Sequence, residues 1–167
     1  MRMEKVLLSL GSNLGESLDI IKNACNDIKA ENDIQEVVIS SYYQTKPVGY
    51  KDQDDFINIA ISLTTSKTPY QMLELCAFLE QKYQRVRLFK NGPRTLDVDI
   101  IAFGEVIMEE EKLILPHPRM RQRAFVLAPL KEIKPNFVIS KYQKNISQLY
   151  DLLDDTEKQG VKIIHGL

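Results

Sequence analysis

Hydrophobic positions change their period along the chain, and each change marks an element. Val6 to Leu10 is an apolar run interrupted only by Ser9 and closed by Gly11-Ser12-Asn13, which predicts a first strand. Leu14, Leu18, Ile21, Cys25 and Ile28 then recur at alternating steps of four and three, the stripe of an amphipathic helix. Val37 to Tyr43 is rich in β-branched and aromatic residues and predicts a second strand. After a polar loop from Thr45 to Asp55, the run FINIAISL alternates. Phe56, Asn58 and Ala60 face one way, and Ile57, Ile59 and Ile61 the other. An antiparallel partner for the second strand is expected there.

Thr68-Pro69-Tyr70-Gln71 is a helix start, with Thr68 as cap, Pro69 at the first helical position and Gln71 reaching back. Met72, Leu75, Cys76, Leu79 and Tyr83 form the buried stripe of this second helix. A basic loop from Gln84 to Arg94 leads to a strand from Thr95 to Phe103. Gly104-Glu105 is expected to turn that strand into a hairpin partner at Val106 to Met108. A third, short helix is predicted over Arg123 to Glu132, interrupted by Pro129. The resulting order is the βαββαβ pattern of an α+β, ferredoxin-like sandwich, an antiparallel sheet with helices packed on it. The segment from Pro135 to Leu167 is mixed and carries no evident role.

The chain of 167 residues fits one domain, with 44% hydrophobic and 27% charged residues, a globular mix. Twenty-two basic against 23 acidic residues leave a net charge of -1, so no global field draws the chain to nucleic acid or membrane. Any charge-based function must come from local clustering. The run Val6 to Leu10 is too short for a signal segment or a membrane span, and no other stretch is long enough either. Cys25 and Cys76 both fall on apolar helix faces, which suits buried thiols better than a disulfide or metal framework. A cytoplasmic location is expected.

The segment RVRLFKNGPRTLDVDI, Arg85 to Ile100, carries the most chemistry. On a strand, Leu96, Val98 and Ile100 point to one face and Asp97 and Asp99 to the other. Carboxylates side by side repel, and a hard divalent cation such as Mg²⁺ relieves that repulsion. From Gln81 to Leu96 there are five cations, Lys82, Arg85, Arg87, Lys90 and Arg94, and no acid. A second acid-free stretch, Lys112 to Lys131, adds Arg119, Arg121, Arg123 and His117. Paired acids beside two basic stretches suit a polyphosphate bridged through metal, because arginine forks bind phosphate oxygens. Solvent-facing aspartates and solvated basic loops are the plain alternative. Phe56 and Asn58, two apart on one strand face near the loop Tyr43 to Gly49, offer a stacking surface and an amide edge for a flat heteroaromatic ligand.

Taken in order, several motifs resemble one family: LGSNLG (Leu10 to Gly15), Tyr43-x-Thr45-x-Pro47, Asp55-Phe56-x-Asn58, Arg85-x-Arg87, Gly92-Pro93-Arg94-x-Leu96-Asp97-x-Asp99-Ile100 and Pro116-His117-Pro118. They are similar to the hydroxymethyldihydropterin pyrophosphokinases of folate biosynthesis, over about Val6 to Ile133. The resemblance implies a single catalytic domain over residues 1–167, acting as a monomer, with 134–167 as an extension. It also implies transfer of pyrophosphate from ATP to 6-hydroxymethyl-7,8-dihydropterin, releasing AMP. By the same resemblance, Asp97 and Asp99 would hold two Mg²⁺ ions, and Arg85 and Arg94 would clamp the transferring phosphates. Arg87, Lys112, His117 and Arg123 would contact ATP. Asn58, with backbone groups at Thr45 and Val48, would pair with the pterin edge, Phe56 and Phe125 would sandwich its ring, and Glu80 would support the pocket.

The chain departs from the family pattern in having no tryptophan before the Gly92-Pro93-Arg94 turn, where Asn91 stands. The loop there is about one residue short, Gln84 replaces a glycine, and Pro118 replaces a tyrosine. Two other readings compete. A nucleic-acid-binding module on the same fold would need an aromatic strand motif that is missing. A catalytically silent relative would have lost the carboxylates or the clamp arginines, yet all are kept.

Overall fold

The computed structural model describes residues 2–13, 17–45, 55–83 and 96–165. Its centre is a six-stranded antiparallel sheet. Strand β1 (Glu4–Ser12) lies between β4 (Phe56–Thr65) and β5 (Asp97–Phe103). On its other side β4 meets both β2 (Ile34–Ile39) and β3 (Tyr43–Thr45). Helix α1 (Ser17–Lys29) follows β1, and α2 (Pro69–Tyr83) joins β4 to β5. This is the predicted ferredoxin-like order. The capping box of α2 forms as expected, with Gln71 N donating to Thr68 Oγ1 at 3.2 Å and Thr68 N to Gln71 Oε1 at 2.9 Å.

The sheet is covered on both faces, and alternation along the strands separates the two layers. Val6, Leu8 and Leu10 pack with Ile59, Ile61, Val98 and Ile100 beneath α1 and α2, burying Ile21, Cys25, Ile28, Met72, Cys76 and Leu79. Burial pushes the Cys25 thiol up to about 11. It raises Cys76 further, with Glu80 and Asp99 adding to the effect, so both thiols stay protonated. On the opposite face Leu7, Ala60, Ile101 and Ala102 pack under α3 (Ala124–Ile133) with Val126, Leu127 and Leu130. Beside α3 sits α4 (Ile146–Asp151), which buries Ile146 and Leu149.

Three expectations change. The single strand expected over Val37 to Tyr43 is two, because Ser40 keeps only half of its ladder pairing, Ser40 N donating to Ala60 O at 2.9 Å. Its Oγ accepts from Ala60 N at 2.9 Å, while Glu36 adopts a φ of 53° where the β2–β4 register shifts. Glu132 on α3 then accepts from Ser41 N, Ser41 Oγ and Tyr43 OH, tying the end of that helix to the junction between β2 and β3. Second, β5 has no hairpin partner at Val106 to Met108. Instead β6 (Met108–Glu109) pairs with β7 (Ile114–Leu115) as a separate ribbon. Third, Pro129 does not interrupt α3, which runs as one helix from Ala124 to Ile133, and further elements follow it. A ribbon of β8 (Val138–Ile139) and β9 (Lys144–Asn145) precedes α4. Helix α5 (Asp155–Gln159) and strand β10 (Val161–Ile163) follow it, and β10 adds an outer strand along β3.

Candidate active site

Helix α3 covers only part of its sheet face, and the uncovered part is where polar residues replace apolar ones along the same strands. Past Leu7 and Ala60 the inward positions become Ser9, Gly11, Asn58, Phe56, Asp99 and Asp97. Register aligns them in rungs: Ser9 lies between Ala60 and Asp99, and Gly11 between Asn58 and Asp97. Above these rungs opens a cavity of about 720 Å³. Its floor is this strand surface with Thr45, and its wall is Pro118, Arg119, Gln122, Arg123, Phe125 and Glu157.

Each wall is positioned by identifiable bonds. Asn58 is 4% and Thr45 6% exposed, and Asn58 Nδ2 donates to Thr45 Oγ1 at 2.9 Å. Gly11 is required beside Asn58 because a Cβ there would stand 2.6 Å from Asn58 Oδ1. At the root of the polar loop, Gln44 Nε2 donates to Asp55 Oδ2 at 3.0 Å and holds β3 and β4 together.

Among the described residues strand β5 is a sheet edge, facing no further strand on its outer side, and its outward N–H groups call for other acceptors. Glu80 on α2 meets one of them, accepting from Val98 N at 2.9 Å between the two aspartates. The last turn of α2 is itself fixed to α1, where Lys82 Nζ and Tyr83 OH both donate to Asp27. The β5–β1 pairing slips by one residue, so Ile101 and Ala102 both turn to the α3 face. The Ile101 carbonyl accepts from His117 N at 2.9 Å, which hangs the Pro116-His117-Pro118 turn beside the aspartates. His117 Nδ1 accepts from Arg119 N at 3.1 Å, leaving the ring proton on Nε2. Burial is the largest cause holding the His117 pKa below its usual 6.5, with Arg123 and Arg119 adding and Asp99 opposing.

The predicted residues Asp97, Asp99, Thr45, Phe56, Asn58, Arg123 and Phe125 thus converge on one cavity. Glu80 supports its β5 side, and half-buried His117 stands beside it. Lys112 is the exception: it is exposed in the turn between β6 and β7 and does not line the cavity. Arg85, Arg87, Arg94 and Val48 fall outside the described residues. Sequence reasoning gave no site role to Arg119, Gln122 or Glu157. Arg119 was visible in the basic stretch, and its neighbour Arg121 is diverted instead, stacking 3.9 Å from the Tyr142 ring centroid.

Two carboxylates with hard oxygen donors, open to a cavity, fit Mg²⁺, which takes one or two protein carboxylates and fills its shell with water and phosphate. No cluster of three or more His, Cys, Asp or Glu residues suited to a metal occurs among the described residues, so the donor set is poor for a closed zinc site.

Comparison with known proteins agrees with this geometry. Residues 7–135 match the family model for 7,8-dihydro-6-hydroxymethylpterin-pyrophosphokinase. The chain is 41% identical over 137 residues to the 2-amino-4-hydroxy-6-hydroxymethyldihydropteridine pyrophosphokinase of Methylorubrum extorquens, covering 82% of this chain and 87% of that one. It is 43% identical over 126 residues to the Bacillus subtilis enzyme of the same name, with 75% of each chain covered. Among solved structures, a Plasmodium falciparum HPPK-DHPS with pteroate superposes with a TM-score of 0.71 at 14% identity, over 99% of this chain and 47% of that one. That likeness speaks for the fold, and the chain spans about half the length of that protein. With a matching family model over most of its length, this chain belongs to the 7,8-dihydro-6-hydroxymethylpterin-pyrophosphokinase family.

Proposed function

We propose that the cavity over β1, β4 and β5 is where this chain binds the pterin and the reacting phosphates, with Asp97 and Asp99 holding two Mg²⁺ ions. The chain is an ATP-dependent pyrophosphokinase of folate biosynthesis, transferring pyrophosphate from ATP to 6-hydroxymethyl-7,8-dihydropterin. The observation that carries the site assignment is the register that sets Asn58, Gly11 and Asp97 in one rung. A heterocycle held at Asn58 therefore presents its side arm toward the aspartates.

The pterin edge meets the amide of Asn58 and the hydroxyl of Thr45, which hold each other in place. Phe56 and Phe125 line the same cavity from floor and wall and take the two faces of the ring. The hydroxymethyl oxygen attacks the β-phosphorus in line, the bond from that phosphorus to the α-phosphate oxygen breaks, and AMP leaves with the electron pair. Bound Mg²⁺ would neutralise phosphate charge as it shifts between the oxygens. Arg123 and Arg119 face the same space and attract phosphate oxygens, and His117, neutral and with Nε2–H free to donate, adds a hydrogen bond. Arg85 and Arg94 supply the clamp, and Arg87 a further ATP contact, by family resemblance. Positioning and charge neutralisation suffice for this chemistry, without a covalent enzyme intermediate.

The two apolar layers share one sheet, which supports a single catalytic domain over 1–167, and we take it to act as a monomer. No helix among the described residues is long and apolar enough to cross a membrane. A cytoplasmic location follows from where ATP and the pterin are met. The test is incubation of the purified chain with the pterin alcohol, ATP and Mg²⁺ while nucleotide products are separated. AMP in step with pterin diphosphate is expected. ADP would mean ordinary phosphoryl transfer and would overturn the reading.

A further inference from the structure

Helix α3 begins without a side-chain cap of its own, since Arg123 at its N-cap makes no such bond. First-turn N–H groups need an acceptor from elsewhere. For Ala124 that acceptor is Glu157 Oε1 at 3.0 Å, a residue 33 positions further along the chain. Glu157 also lines the cavity, beside the Arg123-Ala124-Phe125 turn that it caps. It lies beyond the family match, which ends at residue 135.

The segment that delivers Glu157 is anchored on the other side of the same cavity. Asp154 Oδ1 accepts from Glu157 N at 2.8 Å and starts α5. Strand β10 then runs along β3 with Val161 opposite Thr45, Lys162 opposite Gln44 and Ile163 opposite Tyr43. Ile164 N closes the pairing by donating to Tyr42 O at 2.8 Å. One short stretch therefore grips the strand that carries Thr45 through its backbone, and the turn that carries Phe125 through a carboxylate.

We propose that Glu157 is a positioning residue for pyrophosphoryl transfer: through Ala124 it sets Phe125 over the floor at Phe56 and Asn58, and β10 fixes its distance from Thr45. The proposal rests on the reading that this cavity takes the pterin. A helix start freed of its cap frays, and the second residue of α3 is Phe125. Loss of the cap then weakens the hold on the pterin more than it slows the chemical step.

The test compares the full-length wild type with Glu157→Ala, Glu157→Asp and Glu157→Gln, measuring kcat and KM for the pterin alcohol alongside thermal unfolding. Glutamine keeps an acceptor oxygen at the same reach, whereas aspartate keeps the charge but is one methylene short. Expected are a pterin KM raised roughly tenfold in the alanine and aspartate variants, kcat within about twofold, and near wild-type values for glutamine. The proposal is overturned if all three variants match the wild type. It is overturned equally if aspartate rescues and glutamine does not, which would make the charge and not the cap the useful part. A loss of activity that merely tracks the folded fraction in every variant, with KM unchanged, would assign Glu157 to stability alone. A wild type that forms no AMP defeats the pyrophosphokinase reading itself, a result visible before any variant is compared.

Discussion

Alanine at position 11 puts a methyl group into space already taken by Asn58. The Cβ would stand 2.6 Å from Asn58 Oδ1, while its next contacts, at 3.7 and 3.8 Å, are ordinary. The clash is therefore confined to one amide. That amide cannot swing aside freely, because it is buried and its Nδ2 donates to the equally buried Thr45. Relief means breaking that hydrogen bond and leaving a buried polar group unmet, which costs about 1–3 kcal/mol. Because Asn58 and Thr45 form the proposed pterin edge, the same displacement should appear in kcat/KM for the pterin as a loss of roughly 5- to 150-fold.

The assay is steady-state AMP release at saturating ATP, with the pterin varied, for Gly11→Ala, Asn58→Ala and the double variant. With Asn58 truncated, the added methyl meets nothing, so the double variant should be no worse than Asn58→Ala within about 0.5 kcal/mol. Two independent, additive losses would refute the steric argument, as would a Gly11→Ala enzyme with unchanged pterin KM.

Other expectations follow from the β5 side of the site. Asp97→Ala and Asp99→Ala should each lower turnover on the order of a thousandfold or more, with melting temperatures within about 3 °C of wild type, read by AMP release and calorimetry; near-normal rates would remove the metal assignment. Glu80→Ala should reduce kcat about tenfold and Glu80→Gln much less, because glutamine keeps an acceptor for Val98 N–H. Equal losses in the two variants would show that this backbone bond is not what matters. The folded state depresses the His117 pKa below 6.5, so between the two values the unfolded chain binds the proton more readily. The stability that His117 contributes is complete above about pH 6.5 and lost as the pH falls through the folded pKa. Denaturant unfolding of wild type and His117→Gln, without Mg²⁺, from about pH 8 to about pH 5 should show the gap between them narrowing toward acid. A gap that widens there has the wrong sign.

The parts of this protein legible from sequence were those written in local period or in short motifs. The alternation in FINIAISL and the stripe from Met72 to Leu79 place β4 and α2 correctly, because each keeps a regular period, although β4 is buried on both faces. Asp97 and Asp99 were found because a strand sends alternate residues to the same side. The β2–β3 break was not legible, since it depends on Ser40 bonding to a strand 20 residues away. Lys112 was assigned by family resemblance, which gives a residue type but not the path of the chain around it, and it stands outside the cavity. Glu157 left no sequence signal, as its partner Ala124 is chosen by how the C-terminal segment folds back along β3. Long-range backbone acceptors of this kind have no period to read.

The two-layer plan also divides the molecule for anyone who would engineer it. Beneath α1 and α2 the packing is mainly apolar, with Cys25, Cys76 and Met72 as soft, oxidisable fillers. Heat-resistant versions can be sought there by exchanging those three for stiffer aliphatics of equal volume. The reverse side of the same strands, where a methyl at position 11 is already too much, leaves a designer almost no latitude.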